Sequence, residues 1–176
     1  FVLARALQQP SSSFEIRRTE RRRPFVVSTP AIDFNMSHHH HLVCVAATFD
    51  GQIGCDTMEY RVHENRKQSI DSQTNLLRSE FSAHEYDFIL RQSNDETTRF
   101  RRFHRLWSLK ESFIKWTGRG LDSRLANLDF HVRTNDFDTH QPEQVIADTE
   151  LHQEEHPSLR FDEQVIYLPN GEEQII

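Results

Sequence analysis

The chain has 176 residues, 36% of them hydrophobic, which allows one ordinary domain or two small ones. Its formal charge of −6 argues against general nucleic-acid binding, and no run approaches the ~20 apolar residues that a membrane-spanning helix needs. The sign is uneven along the chain: Arg17, Arg18, Arg21, Arg22 and Arg23 cluster early, while acids dominate after Asp129.

In chain order, residues 1–9 predict a helix with Leu3 and Leu7 on one side, broken by Pro10 and the serines after it. Residues 14–18 predict a short strand. Arg21, Arg22, Arg23 and Pro24 form a basic turn, which taken alone is a solvated charge cluster, a nuclear-import signal or a source of positive charge for phosphate. Residues 42–49 and 52–58 flank Asp50 and Gly51, a hairpin signal between two apolar runs. Cys44 and Cys55 then become small buried strand residues, and their thiols point to a reducing, cytoplasmic compartment. Strand alternation would turn Asp56 and Met58 to one face, and Cys55, Thr57 and Glu59 to the other.

Residues 60–74 are polar and predict a loop, and residues 75–81 a helical turn or two. Ser82, Ala83, His84 and Glu85 form a capping box that opens a helix to about Arg91. A long helix follows over residues 95–117. Phe100, Phe103, Trp107, Lys110, Glu111 and Ile114 share one face of it, and Gly118 and Gly120 end it. Residues 125–132, 145–146 and 164–168 predict strands, and Asn170 with Gly171 another hairpin turn. Strands, then helices, then strands make the fold class α+β.

Glu111 on an apolar face, one turn from Lys115, is accounted for by an i, i+4 pair of ~0.2–0.5 kcal/mol. Asp56 gives it a second reading. Two carboxylates on separate elements are the hard ligands that Mg²⁺ takes, with phosphates and water filling its octahedron. Ser37 and His38 can donate to phosphate oxygens, and the arginine forks suit the same ligand. Lys115 can neutralise phosphate or accept a proton from a nucleophile. The run from His38 to His41 invites a zinc reading, but Cys44 and Cys55 have no C-x-x-C partner to close such a site.

The motifs F-N-M-S-H at residues 34–38, G-C-D-T-M at 54–58, W-S-L-K-E-S-F-I-K at 107–115 and G-R-G-L at 118–121 resemble those of the 4'-phosphopantetheinyl transferases, as does R-T-E-R-R-R-P at 18–24. The resemblance is to the large, pseudo-dimeric, surfactin-synthetase-activating class and covers about residues 14–176. It implies two similar α+β halves related by a pseudo-two-fold, with coenzyme A in the cleft between them. On that pattern residues 1–33 are a remnant of the first half and a basic linker. Residues 34–176 are the second half, cut short at its C-terminus.

The implied reaction moves the phosphopantetheine arm of coenzyme A to a serine of an apo acyl or peptidyl carrier protein, with Mg²⁺, releasing adenosine 3',5'-bisphosphate. The implied partners are coenzyme A and carrier domains, with neither nucleic acid nor membrane. The implied assembly is a monomer with an internal pseudo-dimer, and the implied setting is cytoplasmic protein modification linked to lysine biosynthesis via aminoadipic acid.

By the same resemblance Arg18, Thr19, Arg21, Arg22 and Arg23 line the coenzyme, and Asn35, Met36, Ser37 and His38 continue that site. Asp56 and Glu111 hold Mg²⁺, Glu111 or a water that it holds deprotonates the carrier serine, and Lys115 meets the pyrophosphate. Asp56, Glu111 and Lys115 are thus the catalytic set. Bacterial members carry a second carboxylate where Met58 stands, and a thioether is too soft for Mg²⁺. His39 or water would complete the shell. The rival reading is a catalytically impaired or truncated relative that only binds coenzyme A or a carrier; retention of Asp56, Glu111 and Lys115 together argues against it.

Overall fold

The structure is a computed structural model and describes residues 1–29, 31–59, 69–90, 95–118, 120, 125–133, 147, 149–152, 159–167 and 173–176. They form helices and small antiparallel sheets, an α+β fold, in two compact units: residues 1–57 with 111–123, and residues 58–110 with 124–176.

The first unit begins with α1 (Val2–Leu7), whose Leu3 and Leu7 join Phe14, Val26, Ile32, Phe34 and Ala47 in an apolar core. β1 (Ile16–Arg18) and β2 (Pro24–Val26) pair as a hairpin. Its basic turn is closed by the Arg22 N–H donating to Thr19 O at 2.8 Å, with Arg22 at φ 65°. β3 (Asp33–His39) and β4 (Leu42–Thr48) pair over their whole length, from Asp33 opposite Thr48 to His39 opposite Leu42.

The hairpin expected at Asp50 and Gly51 is therefore one connection earlier, at His40 and His41. His40 adopts φ 47°, a conformation that histidine tolerates better than most residues. Asp50 and Gly51 do turn the chain, but residues 52–57 make no ladder. The strand alternation expected there fails with it: Cys55, Asp56 and Thr57 are all buried. Cys44 lies on a strand as expected, while Cys55 lies off any strand.

In the second unit β5 (Met58–Glu59), β9 (Glu173–Ile175) and β8 (Val165–Tyr167) form one sheet, with Met58 packed on Val165 and Ile175. A side chain committed to an apolar cluster explains why position 58 carries a thioether. β6 (Phe130–Val132) pairs with β7 (Thr149–Leu151). Part of the expected loop at 60–74 is α2 (Ile70–Leu76), capped by Ser69 and anchored by buried Ile70 and Thr74 one turn apart. The helical turn expected at 75–81 is reduced to the end of α2 and a 3-10 turn at Arg78–Glu80.

α3 (Ala83–Leu90) opens on the capping box: the Ser82 N–H donates to Glu85 Oε2 at 2.8 Å, and the Glu85 N–H to Ser82 Oγ at 3.0 Å. α4 (Glu96–Thr117) starts at Asp95, whose carboxylate accepts from the Thr97 and Thr98 N–H groups, and ends at Gly118, φ 64°. The strand expected at 125–132 is a 3-10 turn, Leu125–Asn127, followed by the short β6. β7 was not foreseen, whereas β9 is the returning strand of the hairpin expected after residues 164–168. The strand expected at 145–146 and the turn at 170–171 lie outside the described residues.

Two charged contacts organise this unit. Lys110 is fully buried; its ammonium donates to Leu125 O at 2.8 Å and Leu128 O at 2.6 Å, and pairs with Glu85 Oε2 at 2.7 Å. Those three acceptors satisfy its three N–H donors. Glu85 Oε1 also accepts from the Phe130 N–H at 3.0 Å. Burial pushes the Glu85 carboxyl up and the Lys110 ammonium down, and each partner opposes the shift of the other. Arg105, also buried, forks onto Glu163 at 2.7 and 2.9 Å, and Thr149 Oγ1 donates to the same carboxylate at 2.5 Å.

Removing one partner of a buried pair leaves the other charged in a dry site. Lys110→Ala is expected to destabilise the fold by about 3–5 kcal/mol, read from the shift of a urea unfolding curve. A loss below about 1 kcal/mol would mean that the ammonium is solvated, as exposed pairs are.

Candidate functional site

The sequence-predicted carboxylates and their neighbours fall in the first unit. Along β3 the side chains alternate: Asn35 and Ser37 are buried, whereas Met36 and His38 are exposed on the other face. Ser37 Oγ donates to Asp56 Oδ1 at 2.9 Å. The Lys115 ammonium donates to Asp56 Oδ1 at 2.6 Å and to Ser37 Oγ at 2.8 Å. Both donors therefore converge on one oxygen. The other, Asp56 Oδ2, is buried and has no hydrogen-bond partner among the described residues.

Glu111 is half-buried, one turn before Lys115. The helical Glu111 and Lys115 pair is absent among the described ion pairs, because Lys115 reaches Asp56 instead. Burial raises the Glu111 carboxyl above its ordinary value, the negative charge of Asp56 raises it further, and Lys115 opposes both. Two carboxylates that repel, one with an unsatisfied buried oxygen, are suited to a hard cation.

Arg23 and Gly54 hold this group in place. Arg23 donates to the Lys115 carbonyl, to Trp116 O at 2.9 Å, to Ile53 O at 2.9 Å and to Asp33 Oδ2 at 2.5 Å. Asp33 Oδ2 also accepts from the Ile53 N–H at 2.7 Å. The guanidinium thus satisfies carbonyls that the end of α4 leaves without intrahelical donors, at the negative end of its dipole. At Gly54 a Cβ would overlap the Ser112 carbonyl oxygen and lie 2.7 Å from Trp116 N, so only glycine lets this segment lie against the helix.

Asn35, Ser37, Asp56, Glu111 and Lys115 are thereby brought together, with Asn35 Nδ2 3.5 Å from Lys115 O. Met36 and His38 face away from that group. Arg18, Thr19, Arg21 and Arg22 are exposed on the β1 to β2 turn, where Arg18 Nη1 donates to Arg22 O at 2.9 Å and Thr19 Oγ1 accepts from the Arg23 N–H at 3.1 Å. Arg23 stands in that same run, yet its fork is turned to the helix end. Sequence reasoning missed this, and missed Asp33 altogether. The available signal was the carboxylate that a half-buried arginine needs.

A second cluster lies in the other unit. Asp129 Oδ2 accepts from His131 at 2.9 Å, Asp129 Oδ1 is 3.4 Å from His84 Nδ1, and the two imidazoles stack at 3.8 Å with planes 7° apart. Burial by itself would raise the Asp129 carboxyl, but Ser82 Oγ and the imidazoles hold it below its ordinary value. The three residues offer ligand atoms within 4.8 Å of one another, although stacked parallel rings do not aim their in-plane lone pairs at one point.

A sequence profile for the 4'-phosphopantetheinyl transferase superfamily matches residues 52–168, and one for the N-terminal part of 4'-phosphopantetheinyl transferase matches residues 1–50. The chain is 34% identical over 136 residues to the L-aminoadipate-semialdehyde dehydrogenase-phosphopantetheinyl transferase of Xenopus laevis, covering 74% of this chain and 44% of that protein. The Homo sapiens protein of the same name is 30% identical, with coverage of 80% and 46%. The 4'-phosphopantetheinyl transferase Sfp of Bacillus subtilis is 34% identical, with coverage of 75% and 53%. The chain spans about half the length of these curated relatives.

Gly54→Ala is expected to destabilise by at least about 1–3 kcal/mol, the range for overpacking, because the obstructing atoms are helix backbone. Denaturant unfolding checks it; an unchanged midpoint would mean that residues 53–56 are not pinned to α4. Glu111→Gln tests the electrostatics, measured in a metal chelator. Folded Glu111 keeps its proton to higher pH than the unfolded chain does. The stability that the neutral form contributes is full below the unfolded pKa and is lost as pH rises through the folded one. Glu111→Gln should therefore match the parent near pH 4 and exceed it in stability at pH 7. Equal stability at both pH values would remove the strain assigned to Glu111.

Proposed function

Because the chain belongs to the 4'-phosphopantetheinyl transferase superfamily, we propose that it transfers the phosphopantetheine arm of coenzyme A to a serine of an apo carrier protein, with Mg²⁺, releasing adenosine 3',5'-bisphosphate. The observation that carries this reading is Asp56: one oxygen is fixed by Ser37 and Lys115, and the other is buried without a hydrogen-bond partner among the described residues. Asp56 Oδ2 and Glu111 fit a hard divalent ion, and Mg²⁺ held there would draw charge off the pyrophosphate under attack.

The side chains take the remaining roles. Ser37 and Lys115 orient Asp56. Glu111, whose proton affinity is raised, accepts the proton of the carrier serine, directly or through a water that it holds. The serine oxygen bonds to the phosphorus bearing the pantetheine arm, the anhydride bond to the adenosine bisphosphate breaks, and that group leaves with the electron pair. Lys115 supplies positive charge beside the pyrophosphate. Arg18, Arg21 and Arg22, exposed with Thr19, suit the phosphates of the coenzyme. Asn35 and Ser37 belong to the proposed coenzyme site from the buried face of β3, and Met36 and His38 from its exposed face.

The names of the animal relatives suggest a carrier domain tied to L-aminoadipate-semialdehyde dehydrogenase, and so to lysine biosynthesis via aminoadipic acid, as one substrate class. A cytoplasmic location and action as a monomer with an internal pseudo-dimer belong to this reading, as does the division at residues 33 and 34 into a first-half remnant and a second half. No helix of the described residues is long and apolar enough to cross a membrane.

Incubation with coenzyme A, Mg²⁺ and an apo carrier protein, followed by weighing the carrier, tests the reaction. The parent should add one phosphopantetheine group per carrier, and Glu111→Gln should slow this by about 10²–10⁴-fold, the size of a lost general base. Mg²⁺ should raise the melting temperature of the parent and not that of Asp56→Asn. A parent that binds Mg²⁺ and coenzyme A but leaves the carrier unchanged would favour the binding-only reading; normal transfer by Asp56→Asn would sink the assigned site.

A further inference from the structure

Neither the fold nor the proposed reaction uses the two thiols, yet they meet. Cys44 Sγ and Cys55 Sγ are 3.2 Å apart, with the Cys55 thiol donating to Cys44, and both are free cysteines. Their positions matter as much as the distance. Cys44 is the cross-strand partner of Ser37 in the β3 and β4 ladder, and Cys55 immediately precedes Asp56. Ser37 and Asp56 are themselves hydrogen-bonded. A bond between the sulfurs would therefore tie together, covalently, the two backbone segments that hold the Ser37, Asp56 and Lys115 group.

We propose that Cys44 and Cys55 are a modification site: under oxidation they close into a reversible disulfide that displaces Asp56 and turns the carboxylate site off. Formation of the bond is independent of the functional reading; the loss of site function rests on it. The oxidant class is a hydroperoxide. Half-buried Cys44 is the more accessible thiol. Its thiolate attacks the peroxide oxygen, giving a sulfenic acid and an alcohol (water, for hydrogen peroxide). Cys55 then attacks that sulfur, and water leaves. Two thiols lose two hydrogens and two electrons, and the O–O bond takes them up. A dithiol reverses the step by exchange. Transient, redox-sensing disulfides of this kind are the ones found in reducing compartments.

The effect on the site follows from where the strain falls. A disulfide needs S–S of about 2.05 Å, so the sulfurs must approach by roughly 1 Å. The chain cannot yield at Gly54 toward α4, because there is no room for even a methyl group between Gly54 and the helix backbone. Beyond what rotation of the two cysteine side chains supplies, movement is left to β4, and with it the Ser37 register, or to Asp56. Either changes the paired contacts on Asp56 Oδ1. A displacement of about 1 Å at a reacting site can lower a rate by about 10²-fold.

The test starts from fully reduced protein, treated with hydrogen peroxide without denaturant and digested after alkylation of the remaining thiols. The expected product is a peptide pair linking Cys44 to Cys55. Transfer to the carrier should fall by about 10- to 100-fold, the Mg²⁺-induced rise in melting temperature should shrink, and dithiothreitol should restore both. Cys44→Ser should keep both readouts before and after peroxide. Absence of the linked peptide in protein whose thiols have been consumed overturns the disulfide. A linked protein with unchanged transfer and unchanged response to Mg²⁺ overturns the switch. A reduced parent that neither transfers nor responds to Mg²⁺ sinks the functional reading and the switch with it, while the peptide map still decides the disulfide by itself.

Discussion

The candidate site depends on one guanidinium. Arg23 is held among the last carbonyls of α4, the Asp33 carboxylate and the Ile53 carbonyl. Each of those groups is costly to leave unpaired, and hydrogen bonds to a charged partner contribute about 1.5–3 kcal/mol each. The residue caps a helix C-terminus from another part of the chain, fixes the start of β3 through Asp33, and fixes the segment leading to Asp56 through Ile53. Gly54 permits that segment to lie against backbone. Lys115, one residue before Trp116, is then within reach of Asp56. The placement of the carboxylate is a consequence of how the helix end is satisfied.

The second unit applies the same rule to charges that have no evident chemistry. Lys110 and Arg105 point from α4 into a buried environment, and each is fully engaged: Lys110 by a carboxylate and two carbonyls, Arg105 by a bidentate carboxylate with a threonine behind it. Such pairs add little net stability over apolar residues of similar size, because desolvation offsets attraction. They are selective, however. Lys110 and Glu85 together engage the Leu125 and Leu128 carbonyls and the Phe130 N–H, which tie the 3-10 turn and the start of β6 to α4 and α3.

The first unit departs from the rule at its two carboxylates. Asp56 Oδ2 lacks a hydrogen-bond partner among the described residues, and Glu111 holds a raised proton affinity beside another carboxylate. Both features oppose folding. A divalent ion would relieve both, since it favours the ionised form that burial and repulsion disfavour. This contrast separates the candidate site from the buried pairs: the Lys110 ammonium is met by a carboxylate and two carbonyls, whereas Asp56 Oδ2 has no hydrogen-bond partner among the described residues.

Local patterns in the sequence determined α3 and α4 and their ends, though not α2. The capping box at Ser82 and Glu85, the start of α4 at Asp95 and its end at Gly118 rest on contacts within one turn, so they are legible without tertiary structure. The motif residues Ser37, Asp56, Glu111 and Lys115 were legible as a set, through their resemblance to a family. Tertiary structure alone decided the rest. The turn fell at His40 because β3 offered β4 a partner of equal length, which no reading of Asp50 and Gly51 could weigh. Lys115 chose Asp56 over Glu111 because a charge within reach in space outcompetes a neighbour on its own helix when the site is partly dry. The fork of Arg23 turned to the helix end because unpaired carbonyls and Asp33 meet there, and such a meeting is a property of the folded chain.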